Sequence, residues 1–91
     1  MKNNYPEFML NAISADIVAE TSAGTYLGWY DRQKYDPAGS DVTEQQIWKI
    51  KFFKNETANG EKITKTLYPN GNKHHSFAWN DHSTLTYQYA K

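Results

Sequence analysis

The chain has 91 residues, no cysteine and a formal net charge of zero, which is typical of one small domain close to the lower size limit for a self-sufficient core. The lack of cysteine excludes a disulfide framework, a thiolate metal site and a cysteine nucleophile. No stretch approaches the roughly 20 apolar residues of a membrane span, and the N-terminus lacks the form of a signal peptide, so we predict a soluble protein with no membrane partner.

Charge is distributed unevenly along the chain. Residues 1–46 hold seven acidic and three basic side chains, whereas residues 47–91 hold seven basic and three acidic ones. Either strands from the two halves pair within one domain, or an acidic patch on one subunit meets a basic patch on the next. The first interpretation is favoured, because charge along a short chain mixes on folding.

The first quarter of the chain has the weakest pattern. Residues 1–7 read as a loose arm, and residues 8–20 fit both a helical stripe and one face of a strand. We favour a strand around residues 16–20, followed by a loop at residues 21–24. The predicted division is therefore an N-terminal arm or first strand at residues 1–24 and a single small β domain at residues 25–91.

Residues 25–30 are rich in side chains that favour strands, and Gly28 inside them indicates a bulge or a close backbone approach. The irregular stretch at residues 31–46 follows. Within it, Asp36-Pro37-Ala38-Gly39 has the chemistry of a type I turn. Residues 41–44 are predicted to form a single helical turn.

The second half of the chain alternates apolar and polar residues with a period of two, as half-buried antiparallel strands do. Strands are predicted at residues 47–52, 63–68 and 83–89. In the last of these, Tyr89 falls on the same apolar face as the residues two and four positions before it. The connecting segments are a polar loop at residues 54–62, a turn at residues 69–72 and a tight corner at residues 77–81.

Together these elements predict a mainly β chain with little helix, folded as a small antiparallel open barrel or sandwich of about five strands. The core is expected to be thin and aromatic, since the chain has three Trp, seven Tyr and four Phe. The alternating positions predict these core residues: Trp48, Ile50, Phe52, Trp79, Leu85 and Tyr87.

Residue types that carry chemistry are present but poorly arranged for it. The adjacent His74 and His75 would point to opposite faces of an extended chain, so with His82 they are expected to be exposed loop residues and not metal ligands. Asp31, Asp36 and Asp41 lack the spacing of a calcium loop, and turn formation or capping is the favoured role. With no phosphate loop or catalytic pair, we predict a protein that is not an enzyme and needs no cofactor.

Basic and aromatic residues alternate near the start of the second half, as in platforms that bind nucleic acid. Alternation in a strand would, however, send Trp48 and Phe52 to the face opposite Lys49 and Lys51. These two aromatic residues are then expected to lie in the core, and the lysines to be solvated. We therefore predict no nucleic-acid partner.

Aromatic and acidic residues before and within the irregular stretch form the candidate contact surface. We assign to it Trp29, Tyr30, Tyr35, Asp36 and Asp41. Exposed aromatic side chains mark binding surfaces, and a protein partner is favoured over a carbohydrate. Residues 30–44 and the N-terminal arm are the segments expected to make these contacts.

The order of several short elements resembles a family of short virion-associated proteins of tailed bacteriophages. The matching elements, found from residue 25 onward, are Thr25-Tyr26-Leu27-Gly28, Trp48-Lys49-Ile50-Lys51, Tyr68-Pro69-Asn70-Gly71, Phe77, Trp79-Asn80-Asp81 and Leu85-Thr86-Tyr87. Two features depart from the pattern: His82 stands where it usually has arginine, and residues 31–46 form a longer loop.

The resemblance implies a non-enzymatic structural protein located in the virion, in the tail, a fibre, the head–tail junction or the capsid decoration. Its expected partners are other virion proteins and further copies of itself. The alternative function is a glycan-binding module that helps the particle attach to a host surface, and a third possibility is a small intracellular inhibitor made during infection.

Overall fold

A computed structural model describes residues 14–91 of the chain. Five antiparallel strands form one open sheet in chain order: β1 (Ile17–Thr21), β2 (Gly24–Tyr30), β3 (Trp48–Ala58), β4 (Glu61–Pro69) and β5 (Tyr87–Gln88). Two short 3-10 turns lie at Val42–Glu44 and Trp79–Asp81. The prediction of a mainly β protein with about five antiparallel strands and little helix is confirmed.

Strand β1 pairs with β2 along its whole length, which confirms the strand favoured around residues 16–20. The Thr21 hydroxyl holds the tight link between them, because it donates to the Gly24 carbonyl at 3.0 Å and accepts from the Gly24 N–H at 3.2 Å. The predicted arm at residues 1–7 lies outside the described residues. Within residues 14–91, no helix is long and apolar enough to cross a membrane.

Strands β3 and β4 form a long hairpin, as predicted, with its turn at Asn59-Gly60, but the length predicted for the polar loop, residues 54–62, is wrong. The pairing runs to the end of β3, and only Asn59 and Gly60 turn the chain, with φ angles of 53° and 79°. Both angles suit a two-residue hairpin turn. The polar residues are accommodated as strand because Glu56 pairs with Lys65 at 2.9 Å and with Lys54 at 3.3 Å on one face.

The strand predicted at residues 83–89 is also largely wrong. The Thr84 N–H and hydroxyl both donate to the Asp81 carbonyl at 3.0 Å, which folds residues 81–84 into a turn. Only β5 pairs with β4, since β4 ends at Pro69 and Asn70 then takes a positive φ. Tyr89 follows the last paired residue of β5; it is 62% exposed and does not join the core.

The main cluster of buried residues lies on one face of the sheet, called here the core face. The cross-strand pairs that place its residues are Tyr26 with Phe52, Gly28 with Ile50 and Tyr30 with Trp48. The structure buries Trp48, Ile50, Phe52 and Trp79, and packs the half-buried Leu85 and Tyr87 against them. Pattern reasoning did not single out Leu27, Ile47, Phe53, Leu67 and Ala78, which are also buried.

The predicted corner at residues 77–81 covers the core face, and Gly28 makes room for it. Trp79 packs directly over Gly28, where a Cβ atom would lie 2.6 Å from the Trp79 ring. His82 stacks on Trp79 with ring centroids 4.1 Å apart, and its carbonyl accepts from the Tyr87 hydroxyl at 2.7 Å. Burial raises the pKa of that hydroxyl well above its usual range. The close backbone approach predicted at Gly28 is therefore present.

Candidate functional site

The segment between β2 and β3, residues 31–46, is called the connecting loop, and its acidic residues fold it. The Asp31 carboxylate accepts from the Gln33 N–H at 3.0 Å, and the Asp36 carboxylate accepts from the Ala38 N–H at 2.9 Å. Asp41 caps the Val42–Glu44 turn by accepting from the Thr43 N–H at 2.9 Å. The predicted turn and capping roles of these three residues are confirmed.

A glutamine that sequence reasoning passed over closes the connecting loop. The Gln45 amide accepts from the Asp36 N–H at 3.0 Å and donates to the carbonyls of Asp36 and Ser40 at 2.9 and 2.7 Å. The Gly39 N–H donates to the Asp36 carbonyl at 3.1 Å, as expected for the predicted type I turn. Residues 32–41 are solvent-exposed, but their backbone is held by contacts within the loop.

The connecting loop carries a small cluster of Tyr30, Arg32 and Tyr35 where it leaves β2. The rings of Tyr30 and Tyr35 meet edge to face with centroids 5.7 Å apart. The Arg32 guanidinium lies 4.5 Å from the centroid of the Tyr30 ring, within the range of a cation–π contact. Tyr35 remains 38% exposed, so the cluster presents an aromatic surface to solvent.

Asp16 anchors this cluster to the sheet. Its two carboxylate oxygens accept from the Arg32 guanidinium at 2.6 and 3.3 Å, and one of them also accepts from the Tyr30 N–H at 3.1 Å. The hydrogen bond from Arg32 is the main cause that lowers the pKa of Asp16, with the Tyr30 N–H adding to it and burial opposing it. Asp16 therefore favours its charged form in the folded chain.

This anchor predicts a pH-dependent contribution to stability. Because the pKa of Asp16 is lower in the folded chain than its ordinary value of 3.8, the contribution is complete above that value and is lost as the pH falls through the folded pKa. Asp16→Asn should lower the melting temperature by a few degrees between neutral pH and pH 5. The difference from the parent chain should shrink below about pH 4, and a difference that persists into strong acid would contradict the assignment.

The opposite side of the sheet forms a second surface, the lysine–aromatic face, made by Trp29, Lys49, Lys51, Phe53 and Tyr68. The Lys49 ammonium lies 5.0 Å from the centroid of the Trp29 ring, and the Lys51 ammonium lies 5.6 Å from it. Lys51 is also 5.8 Å from the Phe53 ring and 6.0 Å from the Tyr68 ring. Two positive charges are thus held beside one indole.

This surface corrects the expectation that Lys49 and Lys51 are solvated. Lys49 and Lys51 do face away from Trp48 and Phe52, but pairing with β2 sets Trp29 directly opposite Lys49. The lysines are half-buried, and their ammonium groups lie against rings. Pattern reasoning on one strand could not find this arrangement, because the rings come from neighbouring strands.

The side chains on this side of the sheet differ in exposure: those near its centre are buried, and those around them, called the rim, are half-buried. Leu27 is fully buried and Phe53 is 5% exposed, whereas Trp29, Lys49 and Tyr68 are half-buried. Val18, which pairs with Leu27 from the edge strand β1, is 40% exposed.

The residues proposed for one contact surface divide between the two surfaces. Tyr30, Tyr35, Asp36 and Asp41 belong to the connecting loop or its anchor, whereas Trp29 belongs to the lysine–aromatic face. Comparison with protein-family models, with curated proteins and with solved structures finds no match to this chain. Function has to be inferred from these two surfaces and from the sequence resemblance.

The histidines do not converge. Within residues 14–91 no three histidine or acidic side chains are grouped closely enough to hold a metal ion. His82 is stacked on Trp79 with its Nδ1 2.8 Å from the Trp79 carbonyl, and His74 lies in an open groove beside Asn72 and Lys91.

A second open groove lies at the far end of the β3–β4 hairpin, between Asn55 and Thr64. Neither groove includes a residue of the predicted contact surface.

Proposed function

We propose that this chain is a non-catalytic structural component of a tailed-phage virion that docks on other virion proteins through its connecting loop. The observation that carries the docking role is an exposed Tyr35 on a loop whose backbone is already held by Gln45 and the capping aspartates. The resemblance in the order of sequence elements supports the assignment to a phage particle.

Two properties suit the connecting loop to docking: its residue types and its fixed backbone. Tyrosine and arginine are enriched among the residues that dominate binding energy at protein interfaces. Tyr30, Arg32 and Tyr35 lie together where the connecting loop leaves β2. A loop held by its own hydrogen bonds loses little conformational entropy on binding. The connecting loop therefore has both the side chains and the pre-organisation that a docking surface needs.

Incorporation into particles tests this proposal. Peptides of the chain should be found by mass spectrometry in purified virions, at a constant ratio to the major structural proteins. Tyr35→Ala should weaken docking by about 2 kcal/mol if Tyr35 dominates the contact, which would deplete the chain from particles. Tyr89→Ala is the matched control, because Tyr89 is also exposed but follows β5. Virions that lack the chain altogether would overturn the proposal.

A glycan-binding role is the alternative, and the same exposed ring favours it, since sugars stack on aromatic side chains. It predicts that host polysaccharide changes the tryptophan fluorescence of the purified chain and that Tyr35→Ala removes the change. A flat titration over several host glycans, together with loss of Tyr35→Ala from particles, would leave protein docking as the function.

A further inference from the structure

We propose that two copies of this chain form a two-fold dimer in which strand β4 of one copy pairs antiparallel with strand β4 of the other. The two sheets would then join into one continuous sheet. Adding a strand to an exposed sheet edge is a recurring mode of protein recognition, in which backbone hydrogen bonds supply much of the affinity. The contact lies outside the connecting loop, so this inference goes beyond the docking proposed above and does not depend on it.

Most of β4 is paired on one side only. Its residues 61–67 pair with β3, whereas β5 pairs only with Tyr68 and Pro69. Among residues 14–91, no strand lies along the other side of residues 61–67, which are called here the open edge. An unpaired edge presents a row of backbone N–H and carbonyl groups to which another strand can pair.

The backbone groups that the open edge presents are those of Lys62, Thr64 and Thr66. Just after β4, the Asn70 N–H donates to the Thr86 carbonyl at 2.7 Å, on the β5 side. Backbone groups of successive residues in an antiparallel strand point to alternate sides, so the even-numbered residues of β4 direct theirs away from β3. Two copies therefore exchange hydrogen bonds where these residues meet.

Charge selects one register for the two-fold pairing. With the axis at Ile63, Lys62 of one copy meets Thr64 of the other, and each such pair exchanges both of its backbone hydrogen bonds. Glu61 then lies opposite Lys65 of the second copy, which is a favourable cross-strand pair of opposite charges. An axis at Lys62 or at Lys65 would instead set two lysines opposite each other. An axis at Thr64 would set Ile63 opposite Lys65.

The charges that meet in this register are not balanced within one copy. Glu61 is exposed and forms no ion pair with another residue of the described part of the chain. Lys65 shares the carboxylate of Glu56 with Lys54, so two lysines face one carboxylate on this side of the hairpin. Glu61 of the second copy would supply the missing negative charge.

Ile63 gives the contact an apolar centre. It is half-buried, lies opposite the charged Glu56 of β3, and is outside the main cluster of buried residues. At a two-fold axis the two isoleucines would form a non-hydrogen-bonded pair, in which the Cα atoms are about 4.5 Å apart and the side chains are closest. Each isoleucine would then cover the other from water.

A proline on the open edge tests the contact. Thr64→Pro removes an N–H that points away from β3, so it leaves the hydrogen bonds between β3 and β4 in place, as at other edge positions where proline is tolerated. The parent chain should have the mass of a dimer in sedimentation equilibrium at about 100 µM. Thr64→Pro should raise the dissociation constant at least about tenfold, since each copy loses a donor from the contact.

Val18→Pro is the matched control on the opposite edge of the sheet. The Asp31 N–H points to the β3 side of β2, so alternation turns Tyr26 toward its partner Ala19 in β1. Val18, the residue before Ala19, therefore directs its N–H outward, and it is 40% exposed. This variant should dimerise like the parent chain, and circular dichroism should show that both proline variants are folded.

Cysteine cross-linking tests the register without relying on proline. The chain has no cysteine of its own, and Ile63→Cys places one thiol at the proposed axis, where a Cα separation of about 4.5 Å lies within the disulfide range. Mild oxidation should link most of this variant into covalent dimers. Glu61→Cys is the control: its thiol is at a more exposed position, but the two copies of residue 61 would be about 13 Å apart.

Three results would overturn the inference. They are a parent chain that is monomeric at about 100 µM, a loss of dimer in Val18→Pro as large as in Thr64→Pro, and cross-linking of Glu61→Cys as fast as that of Ile63→Cys. The second result would assign the contact to the β1 edge, and the third would indicate random collision or another register. All these measurements use the purified chain, so particle incorporation decides the proposed function separately.

Discussion

Replacing Gly28 with alanine is expected to destabilise the chain by about 3 kcal/mol and to lower its melting temperature by about 10–20 °C. The added Cβ would lie 2.6 Å from Cε3 and 2.7 Å from Cζ3 of Trp79, and 2.9 Å from Cε3 of Trp48. Both indoles are buried, at 5% and 2% exposure, so neither can move aside without disturbing the rest of the core. Urea unfolding followed by circular dichroism measures the effect.

A double-mutant cycle shows whether this loss of stability comes from the contact with Trp79 or from general strand propensity. Trp79→Phe removes the outer ring atoms that the new methyl group would meet, so Gly28→Ala should cost at least about 0.5 kcal/mol less in that background. Gly39→Ala is the control, since its Cβ would approach only the exposed Asp36 carboxylate, at 3.1 Å, and should change stability by no more than about 0.5 kcal/mol. An equal cost of Gly28→Ala in both backgrounds would contradict the packing explanation.

Period-two alternation predicts the core well where a strand is paired with a neighbouring strand. It identifies Trp48, Ile50 and Phe52 correctly, because β3 pairs with β2 along the segment that contains them. It fails at Tyr89, because alternation shows which way a side chain points and not where pairing with the neighbouring strand ends. Only part of the alternating segment at residues 83–89 therefore forms a strand. Its first residues belong to a turn that is stabilised by the Asp81 carbonyl.

The candidate surfaces show a second limit of prediction from the sequence. Trp29 and Tyr30 are adjacent in the sequence, and their separation onto opposite faces follows from β2 being a strand, so this division could have been predicted. The pairing of Trp29 with Lys49 could not, because it depends on the register between β2 and β3. Register is set by the whole buried pattern and by the length of the connecting loop. The hydrogen bonds by which Gln45 closes the connecting loop likewise have no sequence signature.

The connecting loop links the fold to the proposed function through Trp48. The Trp48 indole N–H donates to the Val42 carbonyl at 2.8 Å, so the largest fully buried side chain also holds the end of the loop. The Trp48 backbone pairs with Phe77, which leads into the corner carrying Trp79. Damage to this part of the core should therefore disturb both the loop and the corner, while damage to the lysine–aromatic face should not.

Trp79→Ala tests that expectation and should have the largest effect of any single truncation discussed here, about 3–5 kcal/mol. Trp79 is buried between Trp48, His82 and the backbone at Gly28, so its removal leaves a cavity over the centre of the core face. A domain of this length has a total stability of about 5–14 kcal/mol. The variant should therefore unfold at much lower urea, or be unfolded at 37 °C.

Trp29→Ala is the matched control for Trp79→Ala, because it makes the same substitution on the other face, where Trp29 is half-buried beneath two lysines. Its cost should be about 1–2 kcal/mol, and the near-ultraviolet circular dichroism of the remaining tryptophans should be preserved. Equal losses from the two substitutions would mean that the sheet is stabilised similarly from both sides. In that case Trp29 would contribute to the core as much as Trp79 does.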